Sequence, residues 1–267
     1  MHLQRWISGL ILGPSLILLI VFSPPWVFLL FILLLIFLAL REFYALSLPE
    51  VSPGEKGTGI LLGCLLALSL YSREPRCFLF TVLLAFFLFS IRSLLRPEDF
   101  STRVESVSKH LLGLFYLPFL LGHFVLLRNL ERGRLWVLFT LVAVYFGDTL
   151  AFYVGRAWGK KKMAPHISPG KTVEGGLGAV AGSAAGALLS KLIFFPSIPL
   201  LHALILGAAV GILGQLGDLW ESLLKRSARV KDSGALIPGH GGLLDRIDSV
   251  LFATPLVYYY AWGMGIG

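Results

Sequence analysis

The sequence predicts an all-α protein that crosses a membrane several times. Hydrophobic residues make up 56% of its 267 residues and charged residues only 14%, too few to cover a water-facing surface. Apolar stretches of about 20 residues, the length with which a helix crosses a bilayer, recur with short polar breaks between them. Acidic residues are scarce, yet five of the 15 lie between residues 214 and 249. A polytopic membrane protein with its chemistry in that stretch is therefore expected.

Nine apolar segments are the predicted membrane spans, and the third is short enough that a count of eight stays open. If the amino terminus is cytoplasmic, 16 lysines and arginines fall in inner loops and six in outer loops, as the positive-inside rule prefers. The net charge of +8 then follows from topology and anionic headgroups, and no nucleic acid partner is required. The segments lie near residues 6 to 22, 26 to 44, 57 to 71, 77 to 95, 110 to 127, 134 to 155, 173 to 194, 200 to 224 and 244 to 264.

Composition divides the chain into three parts. Residues 1–95 are rich in Leu, Ile and Phe and are interpreted as amino-terminal anchoring helices. Residues 96–109 carry mixed charges, which favours a connecting segment or an interfacial helix. Residues 110–267 are assigned to a catalytic transmembrane bundle with cytoplasmic loops. Within its first glycine-rich span a glycine at every fourth position allows a neighbouring helix to approach closely; these are Gly178, Gly182 and Gly186.

Four aspartates are expected near the cytoplasmic face. Ionisable side chains inside spans are costly and mark a functional site or a buried partner. Asp148 and Asp218 precede cations at the inner ends of their spans by eight and seven residues, which places both roughly 10 to 12 Å below the inner surface. Asp245 and Asp248 open the last span from the same side and share one helical face.

These carboxylates suit a hard divalent ion such as Mg²⁺, which takes oxygen ligands and bridges to phosphate. The metal ligands are predicted to be Asp218, Asp245 and Asp248. An internal ion-pair network with Glu221 and Lys225 uses the same residues, and spacing leaves the two alternatives open. Cations close by in sequence are suited to a polyphosphate, although membrane topology also accounts for them; they are Lys171, Lys225, Arg226, Lys231 and Arg246.

Two loops add candidate phosphate contacts. Gly170, Lys171 and Thr172 do not form a P-loop, because Pro165 stands where that motif requires glycine. Thr172 is instead predicted to cap the seventh span, whose amino-terminal amides then face an anion. Three glycines around His240 permit close backbone approach to a ligand, and its imidazole is suited to donate to phosphate.

The carboxyl-terminal motif resembles the signature of the phosphatidate cytidylyltransferases, also called CDP-diacylglycerol synthases. Its matching residues are Ser222, Leu224, Lys225, Arg226, Lys231, Asp232, Gly234, Ile237, Pro238, His240, Gly241, Gly242, Leu243, Asp245, Arg246, Ile247 and Asp248. The stretches GDTLAFYVG and ISPGKTVEG are similar to further family elements, so the likeness covers about residues 140 to 265.

The resemblance implies a homodimeric enzyme of the cytoplasmic membrane, with its site facing the cytoplasm. It would join CTP to phosphatidate with Mg²⁺, with K⁺ as a candidate second ion. The expected catalytic residues are Asp218, Lys225, Asp245 and Asp248. The expected substrate contacts are Asp148, Ser168, Lys171, Thr172, Ser222, Arg226, Lys231, His240 and Arg246.

Two other functions remain open. A CTP-dependent polyprenol or lipid kinase would use a similar site of acids and cations to transfer the γ-phosphoryl group. A transporter would account for intramembrane carboxylates and glycine-rich helices, but transporters place such groups near the bilayer midplane rather than at one face.

Overall fold

The computed structural model describes residues 13–95, 97, 99–234, 236 and 241–265, and most of these residues are helical. The predicted all-α polytopic fold is confirmed. A short antiparallel hairpin within residues 162–172 adds two strands, with Lys162 opposite Thr172 and Ala164 opposite Ser168. The elements in order are α1 Gly13–Phe22, α2 Pro25–Ser47, α3 Pro53–Ser72, α4 Pro75–Leu94, α5 Phe100–Leu114, α6 Leu120–Arg128, α7 Gly133–Trp158, β1 Lys162–Ala164, β2 Ser168–Thr172, α8 Val173–Ile193, α9 Leu200–Ser227 and α10 Leu244–Gly263.

Within the part of the chain that the structure describes, six helical segments are long and apolar enough to cross a membrane: α2, α4, the continuous stretch Phe100–Arg128, α7, α8 and α9. Each of the nine predicted spans coincides at least in part with a described helix, but α1, α3 and α10 are not among these six. The polytopic architecture is thus established, and the exact count of nine spans stays a prediction.

The fifth span begins earlier than its apolar pattern indicated. Helix α5 starts at Phe100 and continues through a π-helical turn, Phe115–Phe119, into α6. Pro118 lies within this turn and lacks the N–H that a regular helix would use. The described part of the predicted connecting segment therefore belongs mostly to one long helix, and the three-part division of the chain stays a prediction.

Helices α7, α8 and α9 pack with their backbones close together. A Cβ atom placed on Gly182 would lie 2.6 Å from the carbonyl oxygen of Phe146, and one on Gly186 would lie 2.9 Å from that of Val142. From α9, a Cβ atom on Gly211 would lie 2.9 Å from the carbonyl oxygen of Ala179 in α8. The close packing predicted from the glycine repeat is confirmed, because no larger side chain fits at these positions without displacement.

The hairpin is tied to the start of α8. The Thr172 hydroxyl accepts a hydrogen bond from the Gly175 amide at 3.1 Å, so the predicted helix cap is confirmed. Glu174 in the first turn accepts hydrogen bonds from the amides of Lys160 and Lys161. These contacts tie the chain that follows α7 to the start of α8.

Candidate active site

A polar cavity of about 730 Å³ lies where the hairpin meets the ends of α7, α9 and α10. Asp148 is ten residues from the end of α7 and Asp218 is nine from the end of α9, so the two acids share one level, as predicted. The hairpin and the first turns of α10 close the cavity from the same end of the bundle. Seven predicted site residues line it: Asp148, Ser168, Lys171, Thr172, Asp218, Asp245 and Asp248.

Three of the carboxylates form a cluster. The Ser249 hydroxyl donates to Asp148 Oδ1 at 3.3 Å, while the Ser249 amide donates to Asp248 Oδ1 at 2.8 Å. Asp218 lies within electrostatic range of both acids. Gly217, directly before Asp218, allows α9 to approach the Asp248 backbone, since a Cβ atom there would overlap the Asp248 carbonyl oxygen. The acids thus converge from α7, α9 and α10.

Lys171 brings a positive charge into this cluster. Its Nζ atom lies 2.9 Å from Asp218 Oδ2 and donates to the Gln215 carbonyl oxygen at 3.3 Å. Strand β2 carries it over the cavity, where its side chain is 15% exposed. Lys171 pairs with one of the three acids, so the negative charge of the other two is suited to a cation bound beside it.

Lys225 has a different environment. Its Nζ atom lies 2.5 Å from Glu221 Oε2 and 2.6 Å from Asp245 Oδ1. Glu221 is fully buried, and Lys225 lines a separate cavity of about 160 Å³. The contacts favour the ion-pair alternative for Lys225, because its charge is already matched by two acids, Glu221 and Asp245.

Asp245 is also engaged by protein donors. Beyond Lys225 on Oδ1, its Oδ2 atom accepts from the amide and hydroxyl of Ser233, at 3.1 and 3.0 Å, and from the Gly242 amide at 3.0 Å. Both carboxylate oxygens therefore have partners that a metal would have to displace. Asp148 and Asp248 are less engaged, since the hydrogen bond described for each comes from Ser249, whereas Asp218 is contacted by Lys171 and Ser222.

Metal ligation by protein side chains alone is incomplete here. Within the ranges that the structure describes, no three His, Cys, Asp or Glu side chains are close enough to form a metal site. Mg²⁺ usually binds through one or two carboxylates together with waters and substrate phosphates. The donor set of the cavity fits that mode of binding.

The remaining predicted contacts lie around this centre. The Ser222 hydroxyl donates to Asp218 Oδ1 at 3.4 Å, so it reaches the cluster indirectly. Arg226 donates to the carbonyl oxygens of Ile167 and Val230, which ties the end of α9 to its neighbouring loops. Lys231 is exposed, and Arg246 lines another cavity. His240 lies outside the described residues.

That other cavity is apolar and measures about 400 Å³. Helices α1, α2, α6, α7 and α10 enclose it, with Leu35, Leu141 and Val250 among its lining residues. Tyr145 and Arg246 also line it, and Tyr145 lies within electrostatic range of Asp148, Asp248 and Arg246. An apolar compartment thus adjoins the polar cavity.

Several residues of this region were missed from the sequence. Ser249, Gln215 and Arg156 line the polar cavity but carry no distinctive spacing. Glu42 of α2 contacts the chain just before α10, although the amino-terminal helices were interpreted as anchors. The available signal was an acid near the inner end of an otherwise apolar span.

Comparisons with known proteins agree with the motif. The profile of the cytidylyltransferase family matches residues 3–263. A phosphatidate cytidylyltransferase of Synechocystis sp. is 35% identical over 97% of this chain and 96% of that protein. One from Bacillus subtilis is 40% identical over 149 residues, a match that spans 55% of each protein. The uncharacterized protein YnbB of Escherichia coli is 36% identical over 90% of this chain and 81% of its own length.

Proposed function

The chain belongs to the cytidylyltransferase family, and on this premise we propose that it is a phosphatidate cytidylyltransferase. It would convert CTP and phosphatidate into CDP-diacylglycerol and pyrophosphate within the membrane. The observation that carries the proposal is the carboxylate cluster beside Lys171, in a polar cavity that adjoins an apolar one. A reaction between a water-soluble polyphosphate and a membrane lipid requires both environments.

We propose that Mg²⁺ binds through the two carboxylates of Asp218 and Asp248, with waters and substrate phosphates as its other ligands. When bound, it would offset the charge that develops on the transferring phosphoryl group. Asp245 is assigned instead to holding Lys225 and the chain before α10, because its oxygens already accept hydrogen bonds. K⁺ remains a candidate second ion for the same oxygen-lined cavity.

In the proposed reaction, a phosphate oxygen of phosphatidate attacks the α-phosphorus of CTP in line. A new P–O bond forms as the bond between the α-phosphorus and the bridging oxygen to the β-phosphorus breaks, and pyrophosphate leaves with that electron pair. The attacking oxygen is already anionic, so a strong general base is unnecessary. Lys171 would compensate phosphate charge, while the Ser168 hydroxyl lies on the same strand and can donate.

The lipid substrate is assigned to the apolar cavity. One acyl chain would lie among the side chains of Leu35, Leu141 and Val250, with the phosphate directed towards Arg246. Tyr145 and Arg246 line this compartment, while Asp148, three residues after Tyr145, and Asp245, directly before Arg246, line the polar cavity. Phosphatidate could thereby present its headgroup to CTP while its tail stays out of water.

Orientation and assembly are part of the proposal. The polar cavity lies at the same end of the bundle as the hairpin, which carries Lys160, Lys161 and Lys162 in or directly before β1. The positive-inside rule favours a cytoplasmic location for this end, where CTP is available. A homodimer is proposed from the family resemblance.

The activity can be tested with labelled nucleotide. With α-labelled CTP, purified protein in detergent should transfer the label to the lipid and release unlabelled pyrophosphate. With γ-labelled CTP, the label should appear in the released pyrophosphate and not in the lipid. Transfer of the γ-label alone, to a polyprenol or another lipid alcohol, would identify a kinase instead. An absence of nucleotide chemistry in folded protein would refute both enzyme assignments.

A further inference from the structure

Glu42 connects the amino-terminal helices to the start of α10. It lies in α2 and contacts residues that follow it by about 200 positions. Its Oε1 atom accepts a hydrogen bond from the Leu243 amide at 2.9 Å, and its Oε2 atom accepts one from the Leu244 amide at 3.0 Å. The Ser233 hydroxyl donates to the same Oε2 atom at 3.2 Å. Both oxygens of one carboxylate are thus occupied by this segment.

These contacts supply a helix cap that α10 does not make with its own cap residue. The cap residue Leu243 offers no side-chain acceptor, while the first amides of any helix have no partner within it. A carboxylate at this end also interacts favourably with the helix dipole. Glu42 therefore performs, from another helix, the role that a capping side chain usually performs locally.

The backbone around Glu42 is shaped to receive its carboxylate. A Cβ atom on Gly234 would lie 2.7 Å from Glu42 Oε1, and one on Gly242 would lie 2.7 Å from Glu42 Oε2. Larger residues at either position would require the carboxylate to move. The two glycines let the chain before α10 approach Glu42 directly.

Glu42 and Asp245 both contact Ser233 and the start of α10. The Ser233 hydroxyl lies within hydrogen-bonding distance of both acids, which share its one proton. Asp245 accepts a hydrogen bond from the Gly242 amide, and Glu42 accepts hydrogen bonds from the next two amides. Asp248 lies one helical turn after Leu244, so the position of this helix start sets where Asp248 points. Any tilt of α10 here would move Asp248 relative to Asp148 and Asp218.

We infer that Glu42 is a positioning residue of the active site: by capping α10 and holding Ser233, it sets Asp248 against the other acids of the polar cavity. The inference rests on the proposed function for its kinetic consequence, but its structural part does not. The amino-terminal helices then contribute to the catalytic centre as well as to anchoring.

The test uses full-length Glu42→Ala and Glu42→Gln, with Glu50→Ala as the control. Glu50 is an exposed acid just beyond the end of α2 and makes none of the contacts above. Glu42→Ala is expected to lower kcat per folded molecule by about 10²-fold, since a displacement of about 1 Å at a reacting centre has that effect, while the KM for CTP changes little. Glu42→Gln keeps one acceptor oxygen and should lose less.

A second measurement does not depend on activity. Hydrogen exchange of the peptide covering residues 241–249 should accelerate in Glu42→Ala, and to a smaller extent in Glu42→Gln, but not in Glu50→Ala. Unchanged exchange in both Glu42 variants would overturn the inference. Unchanged kcat with accelerated exchange would also overturn it, because Glu42 would then be a structural cap only. If the wild-type protein shows no cytidylyl transfer, the proposed function is refuted. Hydrogen exchange then tests only whether Glu42 caps α10.

If Glu42→Ala cannot be isolated folded, Glu42→Gln decides the question by the same two measurements. Its expected pattern is a reduced kcat, an unchanged KM for CTP and faster exchange at residues 241–249. A variant with the wild-type kcat would count against a positioning role.

Discussion

Lys225→Met should destabilise the protein strongly, because it removes the cation that holds two buried acids together. The Nζ atom lies 2.5 Å from Glu221 and 2.6 Å from Asp245, and the exposed fractions of the three side chains are 13%, 2% and 12%. Methionine keeps the apolar stem but leaves both acids without their counter-ion. Removing one partner of a buried ion pair costs about 3–5 kcal/mol, so a loss of this size is expected.

Thermal unfolding in detergent, followed by intrinsic fluorescence, measures this effect. At about 2–4 °C per kcal/mol for a chain of this size, the midpoint should fall by roughly 6–20 °C. Lys109→Met is the matched control, since Lys109 pairs with Glu105 at 2.7 Å but the two side chains are 35% and 61% exposed. Such an exposed pair contributes about 1 kcal/mol at most.

A double variant strengthens the test. Adding Glu221→Gln to Lys225→Met removes one of the two unpaired charges, so part of the lost stability should return and the two changes should not add. A wild-type midpoint in Lys225→Met, together with abolished cytidylyl transfer, would refute this reasoning. That result would mean that Lys225 serves a substrate phosphate, as the sequence motif implied.

Asp218→Asn should lower turnover of α-labelled CTP by about 10²-fold or more, because it removes a charge aimed at the transferring group; near-normal turnover would exclude Asp218 as a metal ligand. Gly182→Leu should lower the free energy of unfolding by about 1–3 kcal/mol, because the leucine side chain would meet the Phe146 carbonyl oxygen. The unfolding midpoint and the activity should therefore fall together. An unchanged midpoint would show that α7 and α8 can separate freely. Leu141→Trp should narrow the apolar cavity and therefore lower kcat/KM for long-chain phosphatidate more than for dioctanoyl phosphatidate. The control Ile205→Trp, on an exposed part of α9, should affect both substrates equally. The same chain-length preference in both variants would contradict the acyl-chain assignment.

Much of the site's location could be predicted from sequence. The depth of Asp148 and Asp218 follows from counting residues to a helix end, and both line one cavity as expected. The loop that carries Lys171 was also placed correctly beside them. These predictions depend on helix geometry and on which end of each span is cytoplasmic, and both can be inferred from neighbouring residues.

The roles of Lys225 and Asp245 could not be separated in this way. Both belong to the same motif as Asp248, and their spacing is equally compatible with metal binding and with an ion pair. The structure pairs Lys225 with Asp245 and leaves Asp248 in the cluster with Asp148 and Asp218. A rotation of one helix by a fraction of a turn would have exchanged these environments.

The helical membrane architecture, the close approach of a neighbour to the glycine-rich helix and the family can all be inferred from sequence, since apolar length, glycine spacing and motif identity are local properties. The folded chain was needed to show which helix that neighbour is, which acids share a cavity and which are neutralised by protein donors. It alone joined Glu42 to Leu243 and Leu244, because a hydrogen bond across about 200 residues depends on how distant helices pack. The periodicity of a local stretch of sequence does not predict which distant helices pack together.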